Sequence, residues 1–598
     1  LWISDSIMEE TLMNEVSATN VQLKNQYNYL CSKIGIKSFD EYCNVNIYIK
    51  EIIHDFMRNH KRVALYCYGH HTQMLMADYI AELRDIICII DNGKSISDSE
   101  FRIIKDSDIE KNNLDGIIIS SFIHKESIKK HLCNNYLNID ILDIYDALEK
   151  YDVFLEKDYF IEGAYQKYAT INSRLRDLRK KETPYTMSRL LKEYVSIKDF
   201  RLAGKVARRI YDITRTDIDK EIAQTIDDLY CAELEAVKTS SQNNILMLCL
   251  DGMRRCDFMC GGMEKTYCSL RESANVYSNA YSFSTMTYES LIPVFSENSD
   301  QKTEYYLKNE VVASDCRFIR KALDEGRFIS IYGDGFHYIY DDSIKYTGHS
   351  QTITEKLWDF VLDVTMADNG IFYLHELYES HFSFANPYTT DKIISNGSAM
   401  LFDYLPQNKG ELQTDYKKQH KDALQYLDDT LAPFIDVIPC NIIIFADHGN
   451  IVLENGTRLS DIKPLQLTAS EEWIQIPLII KSHNVKSKIS DELISLTELN
   501  DIMLSVMTDL EYKQKKKEYI KIGRSEIYNQ QFKELYKVLS VGYNGEAFEG
   551  FIFDDGYKLL VYSNGKIELY RTNDDSIVDD FELKKSLFER IRSELTIL

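Results

Sequence analysis

Only 8 prolines occur in 598 residues, too few for long proline-rich linkers, so packed units with short connections are expected. Basic runs are missing as well. With 70 Lys and Arg against 94 Asp and Glu, the formal net charge is −24. Nucleic acid is held by clustered cations that displace its counterions, and this acidic chain is not expected to bind it. No apolar stretch approaches the roughly 20 residues of a membrane helix, and nothing has the form of a signal peptide. Membrane insertion is therefore not expected, and the cytoplasm is the expected compartment. The 12 cysteines are scattered. Cys67, Cys88, Cys249 and Cys440 lie in or beside apolar runs and read as buried thiols. Cys256 and Cys260 have a spacing that could suit a metal, but no second pair follows at zinc-site distance.

What is present divides into four stretches, in keeping with a length that implies three to four folding units. Residues 1–60 look helical and carry no chemical motif. Residues 61–150 alternate apolar strands (Val63–Tyr68, Ile86–Ile90, Gly116–Ser120) with helical segments, as in a parallel sheet covered on both faces. This stretch resembles the Rossmann-like domains appended to bacterial sugar-modifying enzymes. Asp91 closes the second strand where a dinucleotide-binding domain places its ribose contact, yet only Gly69 stands where three glycines belong. A structural or nucleotide-sugar-docking domain is preferred, with His70 and His71 as solvated loop residues. Residues 151–242 are charged and periodic at helical spacing (Leu190, Leu191, Tyr194, Ile197; Leu202, Ala203, Val206, Ile210), which predicts a helical connector. From residue 243 to 598 buried strands alternate with helices. An antiparallel extension follows, in which Ser563–Lys566 turns one strand into the next.

Three strands of this last stretch end in potential ligands. Ile245–Leu250 ends in Asp251-Gly252, and Asn441–Ala446 ends in Asp447-His448-Gly449. Ile371–Leu374 ends at His375, with His381 in the loop beyond. Sites in open α/β sheets form at the carboxyl ends of strands, and carboxylate with imidazole suits a hard-to-borderline divalent cation. Between the first and last lies the Ser/Thr-rich segment Ser282–Pro293.

The ordered set resembles the alkaline phosphatase superfamily, nearest its sulfatase and phosphoethanolamine-transferase branches, over about 350 residues. The resemblance implies a mixed sheet flanked by helices with a small C-terminal antiparallel sheet, after the Rossmann-like domain and connector. It matches Asp251 to the family's early ligand, Thr287 to the transferases' nucleophile, and Asp447 and His448 to the late ligand pair. Ser290 and Pro293 fall near the small residue and proline that follow the nucleophile. The segment Tyr426–Asp429 resembles the helix before the late strand. His381, in Ser380-His381, matches a residue that contacts substrate or a second metal. His337 lies near a sulfatase histidine whose accompanying lysine is absent.

A threonine hydroxyl is scarcely ionised at neutral pH, and coordination to a metal would make it a nucleophile. Asp251, Thr287, Asp447 and His448 are thus the expected ligands of a Zn or Mn ion. Thr285 is the rival nucleophile, and helix capping the bland alternative for both. Sulfatases modify a Cys or Ser followed by proline and arginine two and four residues on. Here Glu289 and Leu291 stand at those places, which favours phosphoryl transfer. No histidine occurs between His448 and His483, so one tightly bound ion is expected. The expected function is hydrolysis or transfer on a soluble small-molecule or saccharide-linked phosphoester. The alternatives are a sulfatase-like hydrolase using metal-bound water and a non-catalytic scaffold of the same fold.

Overall fold

Runs of Ile, Val and Leu build three separate sheets. The computed structural model describes residues 18–69, 71–72, 75–76, 79–93, 102–151, 153, 163–296, 313–333, 339, 341, 343–347, 351–381, 384–389, 416–452, 465, 468–483, 487–526 and 545–596. The chain divides after Glu233 into two units.

The first unit begins with helices Ala18–Ile34 and Phe39–Asn59. It then builds a five-stranded sheet from β1 (Val63–Tyr66), β2 (Cys88–Ile90), β3 (Ile103–Ile104), β4 (Gly116–Ile119) and β5 (Asp140–Asp143). The order is β3-β2-β1-β4-β5 with every pair parallel, so the order reverses between β1 and β4. Because side chains alternate along a strand, Val63 and Leu65 join Ile49 and Ile53 on one face. Ala64 joins Ile117, Ile119 and Leu132 on the other. Cys67 lies just past β1, half-buried and at φ 86.

Four consecutive helices follow: Ala164–Lys180, Pro184–Ser196, Phe200–Thr214 and Asp217–Lys238. Thr183 starts the second, its hydroxyl accepting from Thr186 N at 3.2 Å, with Pro184 at the first helical position. The apolar stripe read from the sequence is buried at Leu190, Leu191, Tyr194 and Ile197.

The second unit holds a nine-stranded mixed sheet. Its strands are β6 (Ile245–Leu250), β7 (Asn275–Tyr281), β8 (Phe328–Tyr332), β9 (Lys345–Thr347), β10 (Gly370–Glu376), β11 (Asn441–Phe445), β12 (Gln475–Lys481), β13 (Lys488–Ser490) and β14 (Ile494–Ser495). The order is β13-β7-β12-β11-β6-β10-β8-β9, with β14 also paired to β7. β11, β6, β10 and β8 run parallel, whereas β12 is antiparallel to both β11 and β7. A separate antiparallel sheet follows in the order β15 (Tyr519–Arg524), β16 (Phe548–Phe553), β17 (Tyr557–Tyr562), β18 (Ile567–Arg571). Helix Phe581–Ile591 packs Leu587 and Ile591 on its Phe551, Leu559 and Leu569. The described residues thus form a mixed α/β structure with a parallel sheet, a mixed sheet and a small antiparallel C-terminal sheet. Among the described residues no helix is long and apolar enough to cross a membrane.

Candidate metal centre and active site

β6 lies between β10 and β11, all three parallel, so their carboxyl ends open along one edge of the mixed sheet. Register pairs Cys249 with both His375 and Phe445. Asp251, two residues past Cys249, is therefore level with Asp447, two residues past Phe445. The Asp251 N–H still reaches Glu376 O at 2.9 Å, and Gly252 then turns the chain at φ 72.

Both carboxylates are fully buried. Asp447 Oδ1 accepts from Gly252 N at 3.1 Å and from His448 N at 2.8 Å. Asp447 Oδ2 and Asp251 Oδ1 have no hydrogen-bond partner. A buried carboxylate oxygen without a donor is costly, and a proton, a water or a cation would relieve it.

His448 supplies the third group. Its Nε2 lies 3.7 Å from Asp251 Oδ1 and 3.4 Å from Asp447 Oδ2. Its Nδ1 is 2.6 Å from Gly449 O; a carbonyl only accepts, so this contact assigns the proton to Nδ1 and leaves the Nε2 lone pair facing the carboxylates. Thr287, the first residue of helix Thr287–Ser296, places Oγ1 3.3 Å from Asp251 Oδ2 and 3.3 Å from His448 Nε2. Two more histidines reach Asp251: His375 Nε2 at 3.0 Å from Oδ2 and the half-buried His381 at 3.8 Å from Oδ1. Two donor groups result, Asp251-His381-His448 and Asp251-His375-Asp447, each with ligand atoms within 4.8 Å of one another. They share Asp251.

Charge follows this crowding. Burial opposes ionisation of Asp251, but His381, His375 and His448 override it and hold its carboxyl well below the usual carboxylate range. Asp447 moves the other way, pushed up by burial and by the neighbouring charge of Asp251.

The surroundings fix these groups in place. The Glu376 carboxylate accepts from Glu379 N at 2.8 Å, from Ser380 N at 3.1 Å and from the Ser380 hydroxyl, which ties down the turn leading to His381. The buried Lys356 donates to His375 O at 2.7 Å. β15 supports the threonine loop: Gly523 N donates to Phe283 O at 2.8 Å, Arg524 to Thr285 Oγ1 at 3.3 Å, and Ser525 N to Glu289 Oε1 at 3.1 Å. Burial raises the Glu289 carboxyl against the Ser284 hydroxyl and the Arg524 charge, which favour its ionised form.

The structure therefore brings together Asp251, Thr287, His381, Asp447 and His448. It separates Thr285, whose hydroxyl is engaged by Arg524. His337 and His70 lie outside the described residues. His71 departs from the expected solvated loop: its Nε2 is 2.5 Å from Tyr145 Oη and the rings stack. Asp91 accepts from Tyr68 N at 2.9 Å and Gly93 N at 2.7 Å, which gives it a turn-stabilising role. Cys256 and Cys260 are exposed and in neither donor group. Sequence reasoning had His375 as a strand-end potential ligand without placing it in the expected ligand set, and missed Glu376 and Asn450. A run of polar residues inside an otherwise apolar strand, His375-Glu376, was the available signal.

No family model matches the chain, and no curated protein matches it. Among solved structures it is similar to a 2-O GAG sulfatase, at 12% identity over 59% of this chain and 91% of that one, TM-score 0.40. It is also similar to a phosphonate monoester hydrolase of Agrobacterium radiobacter, at 9% identity over 59% and 95%, TM-score 0.39. A third is the C-terminal periplasmic domain of a phosphoethanolamine transferase from Campylobacter jejuni, at 16% identity over 45% and 90%, TM-score 0.32.

Proposed function

We propose that the chain is a metal-dependent phosphoesterase or phosphotransferase with Thr287 as its nucleophile. One observation carries the reading: two buried carboxylate oxygens without donors, Asp251 Oδ1 and Asp447 Oδ2, face the free nitrogen of His448 beside a helix-start threonine. That donor chemistry fits Zn or Mn, held by Asp251, Asp447, His448 and Thr287 Oγ1, with His375 and His381 available to a second ion or to substrate. When bound, the divalent ion stabilises the Thr287 alkoxide at neutral pH.

Thr287 Oγ1, its proton released to solvent, then bonds to phosphorus as the ester P–O bond breaks. The backbone N–H groups at the start of helix Thr287–Ser296 receive the non-bridging oxygens. His381, at the half-buried mouth, gives a proton to the departing oxygen. Water or an acceptor hydroxyl, giving its proton to His381, next attacks the phosphothreonine, the P–Oγ1 bond breaks, and Thr287 and His381 are both restored. The substrate class is a small-molecule or saccharide-linked phosphoester.

The test is a trapping experiment with a phosphorus-labelled aryl phosphate and the Mn-loaded or Zn-loaded protein. The wild type is expected to yield labelled phosphothreonine. Thr287→Ala is expected to yield none and to lose turnover by a factor on the order of 10⁴. Full turnover in Thr287→Ala would end the nucleophile assignment. A wild-type protein that takes up neither metal would point to a non-catalytic scaffold.

A further inference from the structure

The centre holds an unsatisfied donor as well as unsatisfied acceptors. Asn450, two residues past His448, is 4% exposed, and its Nδ2 has no hydrogen-bond partner. The chain reaches this position through Gly449, whose N–H donates to Trp473 O at 2.6 Å. A Cβ at Gly449 would fall 2.0 Å from Glu472 O, so only glycine can pass there. The passage brings Asn450 back over Gly252. A Cβ built on Gly252 would lie 3.3 Å from Asn450 Nδ2 and 3.2 Å from His381 Cδ2. Gly252 thus keeps a gap open, bordered by the carboxamide on one side and the imidazole of His381 on the other.

The orphans have opposite character. Asp251 Oδ1 and Asp447 Oδ2 want a positive charge, whereas the Asn450 amide wants an acceptor oxygen. They do not satisfy one another, since none of the three has a partner. A buried amide donor is retained without a protein acceptor where a ligand supplies one. A cation and an oxyanion bound together would complete all three.

We propose that Asn450 is an oxyanion-binding residue, donating through Nδ2 to a non-bridging oxygen of the tetrahedral phosphoryl or sulfuryl group that the centre acts on. The proposal rests on the metal-centre reading and specifies its substrate side. The residue holds the transferred group against His381, and its donation strengthens as negative charge develops on that oxygen. It forms and breaks no covalent bond.

The experiment is calorimetric titration of the full chain, loaded with Mn²⁺, with inorganic phosphate and in parallel with sulfate. The anion that binds more tightly names the group. Asn450→Ala is expected to weaken that anion about tenfold with metal stoichiometry unchanged. Asn450→Asp, of the same shape but without the donor and with a charge that repels the anion, is expected to weaken it further. On p-nitrophenyl phosphate, both variants should lose kcat more than KM. Equal anion affinity in wild type and both variants overturns the proposal, and so does Mn-loaded wild type that binds neither anion. Should Asn450→Ala fail to fold, the isosteric Asn450→Asp decides alone. The two readings fail separately: absence of Mn²⁺ uptake by the wild type sinks the metal centre, whereas normal uptake with unchanged anion affinity sinks only the role of Asn450.

Discussion

The five-stranded parallel sheet and the nine-stranded mixed sheet both end their strands in polar side chains, and they treat those groups differently. In the first, Asp91 is occupied by two backbone N–H groups. Asp143 caps the helix Ile144–Leu148, accepting from Tyr145 N at 3.0 Å. The acidic trio Glu126, Asp143 and Asp146 has the spacing of a cation site, but Lys125 lies 2.5 Å from Asp146 and 3.4 Å from Asp143, and Lys129 also pairs with Asp146. In the second sheet Asp251 and Asp447 keep one oxygen each without a donor. A strand-end acid is common structural currency. An acid whose acceptor stays unmet in the interior is the informative one, because folding alone gives no reason to keep it.

The contrast breaks most sharply at Asp447. Asp447→Ala is expected to abolish stoichiometric Mn or Zn uptake, measured by metal analysis, and to lower turnover by a factor on the order of 10³ or more. The wild type should also gain about 2.7 kcal/mol of stability when free metal stands at 100 times its Kd, seen as a rise in Tm that the variant lacks.

A smaller effect is expected at Asp257, an acid near the start of the same unit that is fully answered. Arg254 donates to both its oxygens at 2.7 Å, and His420 Nε2 lies 3.2 Å away. Burial opposes ionisation, yet His420 and Arg254 hold the carboxyl down at about 2. A depressed folded pKa contributes stability above the unfolded value near 3.9 and loses it as pH falls through about 2. Asp257→Asn should therefore cost about 2 kcal/mol at neutral pH. The difference from wild type should shrink in denaturant titrations run between pH 4 and pH 2. A constant gap across that window would reject the ion-pair account.

Smallest is the effect at Asp143. Asp143→Ala removes a helix cap at a cost of about 1 kcal/mol, and the Tm of the variant should respond to metal as the wild type does. A lost metal response would mean that the first sheet holds a cation after all.

How much of this was legible depends on the kind of signal each element carries. β6 and β11 are unbroken apolar runs that stop at Asp251 and Asp447, so strand, end and the buried acid beyond it could be read together. β7 resisted because Asn275, Ser278 and Asn279 interrupt its apolar pattern, and it is stabilised by pairing with β12 and β13 on either side. Thr287 and Thr285 are alike in sequence. The sequence favours Thr287 only through its spacing to Ser290; the fold separates them directly, since Arg524, 239 residues beyond Thr285, claims one hydroxyl and leaves the other to Asp251 and His448. Asn450 was missed because nothing local marks it, and Glu376 although the polar pair His375-Glu376 closes an otherwise apolar strand. Their significance lies in what surrounds them, one as an unmet donor and the other as the acceptor that anchors a turn.

The support lent by the antiparallel sheet reaches further than packing. Lys558 in β17 is wholly buried and lies 2.8 Å from both Glu471 and Asp575, and Glu471 begins the short helix that ends beside Trp473, whose ring faces His448. With β15 gripping the threonine loop, two anchors of the centre come from residues made long after its ligands. A chain lacking β15 and the residue after it would leave Phe283 O, the Thr285 hydroxyl and the Glu289 carboxylate without these partners, and the loop that carries Thr287 would lose its clamp.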